Sequence, residues 1–266
     1  MPEGAARPFR LQAQWRYRNH DAFQMIQKLG GWFFRYRNFV FPAALVALFT
    51  LLPPRPLRGD PAIDFWADMA GVGLALAGSG FRAWVIGLAY IKRGGLDKKV
   101  HADTLVSSGM FAVCRNPLYV GNALVLLGLF VAHNNPLAYV LGLAFFGVAY
   151  WSIIAAEEQF LRAKFGDAYR DYCARVNRFW PSFTHYREAV ADMDFNWRRV
   201  VIKDYSTVYT WSAGMIVLIS HEHAYWRGAS PAGALADMIL PLGVATALVL
   251  LIRVLKKRGL LSERAA

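Results

Sequence analysis

Apolar residues along this chain gather in long runs instead of the alternating or one-faced patterns of a soluble fold. Six runs approach the length a helix needs to cross a bilayer: roughly 38–54, 67–91, 118–133, 136–157, 205–223 and 234–255. The third is short and the first contains Pro42. Between the third and fourth stands His133-Asn134-Asn135-Pro136, whose composition predicts a tight turn closing a helical hairpin. Ahead of the first run, Phe9–Phe39 mixes arginines with Trp15, Tyr17, Trp32, Phe33, Phe34 and Tyr36, the pattern of a helix lying among lipid headgroups. This arm lacks the apolar core and small-residue cleavage site of a secretory signal, so the first run is expected to remain in the mature protein. The predicted fold is all-α: a multi-pass transmembrane helical bundle of about six spans, with an interfacial N-terminal helix and cytoplasmic loops that hold the chemistry.

Charge orients this bundle. The N-terminal arm carries 7 Lys and Arg, the loop between spans two and three 5, the loop between four and five 9 and the C-terminal tail 5. The first-to-second loop has 2, the third-to-fourth turn none and the fifth-to-sixth loop 1, so 26 of the 30 basic residues fall on one side. The positive-inside rule puts that side, with both termini, in the cytoplasm. The membrane is expected to be a bacterial inner membrane, or the endoplasmic reticulum in a eukaryote. A net charge of +12 would point to nucleic acid in a soluble protein. Here the basic residues flank apolar runs, so anionic phospholipid headgroups are the expected partner, and no nucleic acid. Cys114 and Cys173 have neither a CxxC nor a zinc spacing. His221-Glu222-His223 sits on the outer face with no third ligand nearby, so no metal is expected.

Two segments carry candidate chemistry. In Ser108-Gly109-Met110-Phe111-Ala112-Val113-Cys114-Arg115-Asn116-Pro117-Leu118-Tyr119-Val120-Gly121, Asn116 suits a helix N-cap and Pro117 the first helical position. Such a helix start offers N–H groups and a positive dipole end to a carboxylate. Glu157-Glu158 ends the fourth span, and paired carboxylates are unusual beside so apolar a helix. The plain alternative is an i,i+4 pair of Glu158 with Arg162, worth a few tenths of a kcal/mol, about 0.2–0.5. The hairpin between the two segments is expected to bring both to the cytoplasmic side.

In order and spacing these residues resemble the isoprenylcysteine carboxyl methyltransferases and the related phospholipid methyltransferases, over about Gly71 to Pro181. The resemblance rests on Gly109, Phe111, Arg115-Asn116-Pro117-Leu118-Tyr119-Val120-Gly121, Glu157-Glu158, Phe165-Gly166-Asp167-Ala168-Tyr169, and Arg178 with Pro181. Gly80-Phe81-Arg82-Ala83-Trp84 and His101 also match family positions. Asn116 stands where the family has a histidine. The resemblance implies an S-adenosyl-L-methionine-dependent methyltransferase acting on a membrane lipid or another lipid-tailed acceptor. It implies cofactor positions at His101, Leu105, Gly109, Phe111, Arg115, Asn116, Pro117, Tyr119, Gly121 and Glu158, and catalytic positions at Glu157, Glu158, Arg178 and Arg115. Together with the run pattern, this is expected to divide the chain into an interfacial arm 1–37, a methyltransferase core 38–182 and a C-terminal extension 183–266 with two further spans.

Within that reading, carboxyl methylation of a prenylcysteine-like group competes with N-methylation of a phospholipid headgroup. Membrane reductases using NADPH, and non-enzymatic transporters or scaffolds, share the architecture. Gly71-Val72-Gly73 follows no strand and lies in an apolar run, so it is expected to serve helix packing and not dinucleotide binding. Arg82 lies about 15 Å into its helix from the cytoplasmic end, where a charge calls for a partner.

Overall fold

The computed structural model describes residues 7–55, 61–88, 100–184, 186–226 and 230–262. They form eight helices: α1 (Arg7–Leu51), α2 (Pro61–Leu88), α3 (Met110–Val113), α4 (Pro117–His133), α5 (Pro136–Arg175), α6 (Tyr186–Val190), α7 (Trp197–Trp226) and α8 (Pro231–Lys257). No strand occurs among the described residues. α1 runs unbroken for 45 residues, through Pro42 and through the expected boundary between arm and core.

Among the described residues, three helical stretches can cross a membrane on length and composition: Ile63–Leu88, Pro136–Arg175 and Leu235–Lys257. Pro117–His133 is apolar but shorter. The expected six therefore reduce to three by this measure. α7 is long enough, but Lys203, Asp204 and His221-Glu222-His223 lower its hydropathy.

The chain divides into two compact units, and α5 contributes to both. The first comprises Met1–Leu45, Lys92–Leu105 and Leu143–Arg170. In it α1 packs on the middle of α5 through an aromatic cluster. Phe33 meets Phe145 edge-on at 5.9 Å, and Phe41 meets Phe146 and Tyr150 at 5.2 and 5.5 Å. Gly30 permits the close approach, because a Cβ there would strike the backbone of Ser152.

The second unit comprises Val46–Ile91, Val106–Gly142 and Asp171–Ala266. Its centre is the crossing of α2 and α4, where glycines let the backbones touch. A Cβ on Gly71 would lie 2.6 Å from Gly128 O, and one on Gly78 would lie 2.6 Å from Gly121 O. Gly73, expected to pack like Gly71, faces open space. The turn expected at His133–Pro136 forms, with Asn134 left-handed at φ 51°. All three of its polar side chains are buried, and they serve the chain just past α1. His133 Nε2 donates to Leu52 O, Asn134 Nδ2 to Arg55 O and Asn135 Nδ2 to Pro53 O, each at 2.7 Å. Asn135 Oδ1 also accepts from the amides of Leu137 and Ala138, capping α5.

Against α2 and α4 packs α7, and Arg82 finds its partner there. Its Nε lies 3.3 Å from Asp204 Oδ2 and its Nη2 donates to Asp204 Oδ1, while Nη1 donates to Asn122 Oδ1 on α4. Both charged side chains are buried. At the far end of α7, His223 Nε2 lies 3.1 Å from Asp68 Oδ2 of α2. Outermost, α8 packs against α7.

The glycine crossing is open to a direct test. Gly128→Ala would drive a methyl group against Gly71 O and Ala75 N. It is expected to cost about 1–3 kcal/mol, as overpacking does. Gly73→Ala enters open space on a helix and should stabilise by roughly 0.5–1 kcal/mol. Thermal unfolding in detergent measures both, and equal melting temperatures for the two variants would refute the crossing.

Candidate functional site

The candidate chemistry of Gly109–Gly121 is held by a loop on either side of the short helix α3. Gly109 takes φ 59°, ψ −135°, a conformation that needs glycine, and its amide donates to Ala189 O at 3.2 Å. Phe111 is buried, and its carbonyl accepts from Tyr172 Oη at 2.8 Å. Met110, Phe111, Val113 and Leu118 pack with Val85 and Ile86 of α2. This core explains the apolar residues between the motif's polar ones.

Beyond α3 the chain runs beside a distant segment. Ser182 N donates to Val113 O at 3.0 Å, and Arg115 N donates to Asn177 O at 2.9 Å. Asn116 Nδ2 donates to Arg178 O at 3.1 Å. The Cys114 thiol lies 3.5 Å from Arg178 O and 3.3 Å from Phe179 O. Residues 113–116 and 177–182 thus lie side by side, so the Arg115-Asn116-Pro117 motif and Arg178 do come together. The Arg178 guanidinium sits 5.3 Å from the centre of the Phe179 ring. Next to it Trp180 is 83% exposed, in keeping with a residue placed among headgroups.

Three details depart from expectation. Asn116 occupies the N-cap position of α4, but its side chain makes no capping bond, because its amide is turned to Arg178 O. The helix start is also a poorer anion site than its sequence suggests. Pro117 has no N–H, and the Tyr119 amide turns back to Asn116 O at 3.1 Å. Finally, Gly121 has a packing role: the Cγ of Arg82 lies 2.5 Å from where a Cβ would stand. The same neighbourhood holds contacts that the sequence did not announce. Arg115 Nη1 lies 2.7 Å from Cys173 Sγ, and Tyr172 ties the end of α5 to α3.

The other candidate residues lie in the first unit. Glu158 is buried, at 7% exposure, and Glu157 is half-buried. The i,i+4 alternative is present but long, with Arg162 Nη2 3.9 Å from Glu158 Oε2. His101 Nε2 lies 2.8 Å from Asp103 Oδ1, and Leu105 is half-buried. Lys164 fastens this stretch to α5 by donating to Ala102 O, and its ammonium stands 5.6 Å from the Phe165 ring centre. Gly166 then breaks α5 at φ 51°, ψ −119°, which accounts for the glycine of the Phe-Gly motif. Among the described residues, no group of three or more His, Cys, Asp and Glu is disposed to hold a metal ion.

Comparison with known proteins adds an independent view. Residues 66–168 match the family described as phospholipid methyltransferase. Over 86 residues the chain is 38% identical to the cobalt-zinc-cadmium resistance protein CzcN of Cupriavidus metallidurans, covering 32% of this chain and 39% of that protein. Over 84 residues it is 34% identical to the nickel-cobalt-cadmium resistance protein NccN of Alcaligenes xylosoxydans xylosoxydans, covering 31% and 38%. The matched stretch thus spans about two fifths of the length of these relatives. No solved structure matches.

The two thiols should differ in reactivity. Burial pushes the Cys114 thiol up from its ordinary pKa, against the smaller opposing pull of the Asn116 amide and the Arg115 charge. Its thiolate is therefore scarce at neutral pH, and alkylation needs the 113–116 and 177–182 segments to part. Cys173 is half-buried beside the Arg115 guanidinium. Peptide mapping after maleimide treatment of the native protein at pH 7 should find Cys173 labelled at least about tenfold faster than Cys114. Faster labelling of Cys114 would contradict the side-by-side arrangement.

Proposed function

Since residues 66–168 carry the sequence of the phospholipid methyltransferase family, we propose that this integral membrane protein transfers a methyl group from S-adenosylmethionine to a lipid-tailed acceptor. The observation that carries the proposal is the coincidence of that family segment with the Arg115–Gly121 motif, whose start lies along Asn177–Arg178. The donor set suits the cofactor. A guanidinium at Arg115 answers a methionine carboxylate, and the Glu158 carboxylate can accept hydrogen bonds from an ammonium or from ribose hydroxyls. His101, Leu105, Gly109, Phe111, Asn116, Pro117 and Tyr119 complete the proposed cofactor positions on the strength of the sequence pattern. Gly121 is proposed to act indirectly, through the space it leaves for Arg82.

When bound, S-adenosylmethionine supplies a methyl group on a sulfonium centre, open to in-line displacement. What the protein must add is alignment and a dry surrounding, since charge disperses as a negative acceptor approaches a positive donor. For a carboxylate acceptor, which we favour, Arg178 holds the anion and no proton moves. For an amine acceptor, such as a phospholipid headgroup, Glu157 or Glu158 would take the proton. We propose six spans with both termini cytoplasmic, a topology supported by the 26 basic residues on one side. The acceptor then arrives sideways from the bilayer and the cofactor from the cytoplasm. A second reading is favoured by the names of the two relatives: that this methyl transfer serves resistance to divalent transition metals. Unchanged metal tolerance after deletion of the gene would remove it.

Incubating the purified protein with methyl-labelled S-adenosylmethionine and total membrane lipid tests the main proposal, and a labelled lipid is the expected product. Tight NADPH binding with no label transferred would point to a reductase instead. Arg178→Lys keeps the charge but loses the paired hydrogen bonds of a guanidinium. It is expected to lower kcat/KM for the acceptor about tenfold or more, with cofactor affinity little changed. Full turnover in that variant at saturating cofactor would rule out the role given to Arg178.

A further inference from the structure

Asp204 lies outside the stretch that matches the family, on a helix that the sequence pattern assigns to a C-terminal extension. Its carboxylate nevertheless reaches Arg82, inside the matched stretch. It meets Arg82 through both Nε and Nη2, and Thr207 stands one turn along α7, with Oγ1 3.5 Å from Arg82 Nη2. Asp204 and Arg82 are 2% and 1% exposed. A charge so placed cannot turn to water, so whatever holds the guanidinium fixes its direction.

That direction matters for α4. To reach Asp204 and Asn122 together, the Arg82 side chain crosses the face of α4 at Gly121, where its Cγ fills the space of a missing Cβ. Asn122, which accepts from Nη1, is five residues beyond Pro117, about 7.5 Å along the helix. Rotating α4, or sliding it by one residue, would remove Gly121 from under the stem or Asn122 from the guanidinium. The start of α4 in turn sets Arg115 and Asn116 against Asn177 and Arg178.

We propose that Asp204 is a positioning residue for the methyl-transfer site: it aims Arg82 across Gly121 onto Asn122 and so fixes the rotation and depth of the helix that begins with Arg115-Asn116-Pro117. The C-terminal helix is then a working part of the site. The cofactor arm of this inference rests on the methyltransferase reading, whereas its geometric arm does not.

The test uses the full-length protein in detergent, with two readouts: the alkylation rate of native Cys114, and the affinity for S-adenosylmethionine. The Cys114 thiol of the first segment faces Arg178 O and Phe179 O of the second and reports the placement of the α4 start without any ligand. Asp204→Asn is expected to speed Cys114 labelling about tenfold and to weaken cofactor binding by a similar factor. His223→Ala, which cuts the α2–α7 contact at Asp68, should lower thermal stability while Cys114 stays protected. The double variant Arg82→Met, Asp204→Leu removes the pair without leaving a lone charge, so it should recover thermal stability. Cys114 should stay exposed in it and cofactor binding weak, because nothing then crosses to Asn122. If Asp204→Asn does not fold, this double variant carries the test.

Protected Cys114 in Asp204→Asn would overturn the proposal. So would recovery of both readouts in the double variant, since the pair would then serve stability alone. If the unaltered protein binds no S-adenosylmethionine, the methyltransferase reading falls, and the Cys114 rate alone decides the positioning role.

Discussion

A buried arginine and its counter-ion organise the helices of the larger unit. Neither charge can be left alone in an apolar bundle: removing one partner of a buried pair typically costs about 3–5 kcal/mol. The Arg82 guanidinium has five N–H donors, and Asp204 alone cannot satisfy them. Asn122 and Thr207 answer others. This demand for donors and acceptors draws α2, α4 and α7 to one point, where Gly121 has to be a glycine so that the side chain can pass.

The same constraint acts wherever polar groups meet the apolar bundle, because a bilayer offers no water to satisfy them. At the opposite end of α2, Asp68 is buried beside His223 of α7. Asp68 and Arg82 stand 14 positions apart on α2, about 21 Å, and Asp204 and His223 stand 19 positions apart on α7, about 28 Å. The two helices are thus antiparallel and fastened at both ends. Where α1 ends, the chain through Leu52 and Arg55 leaves carbonyls without helical partners. The side chains of His133, Asn134 and Asn135 take three of them. A turn that reads in the sequence as simple punctuation is therefore also a cap for another helix.

What was legible in the sequence is what depends on local order. The α4–α5 hairpin, the close packing at Gly71 and the family motif all rest on short-range pattern. So did the need of Arg82 for a partner. The identity of that partner did not, since Asp204 stands 122 positions away and reads as part of a basic loop. The run 205–223 was legible as apolar, but the cause of its weaker hydropathy was not: Asp204 and His223, which pin α7 to α2, are among the residues that lower it. The place of Gly121 in the motif was visible but its cause was not. Spacing marks a glycine without telling a ligand's approach from the passage of an arginine. Glu157 and Glu158 were legible as unusual, and the burial of Glu158 agrees with that.

Asn116 shows how a departure from a family pattern can be understood from its bonds. A titrating side chain at this position would suit a reaction that moves a proton. In this chain the position makes one evident demand, a donor to Arg178 O. An amide Nδ2 meets that demand at any pH, whereas imidazole offers it in a form that depends on tautomer and charge. The bond joins two segments 62 residues apart and needs no change of charge. A methyl transfer to an anionic acceptor needs none either, because its nucleophile carries no proton to lose. On the function proposed above, the asparagine is compatible with a carboxylate acceptor, whereas an amine acceptor would require another group, such as Glu157 or Glu158, to take the proton.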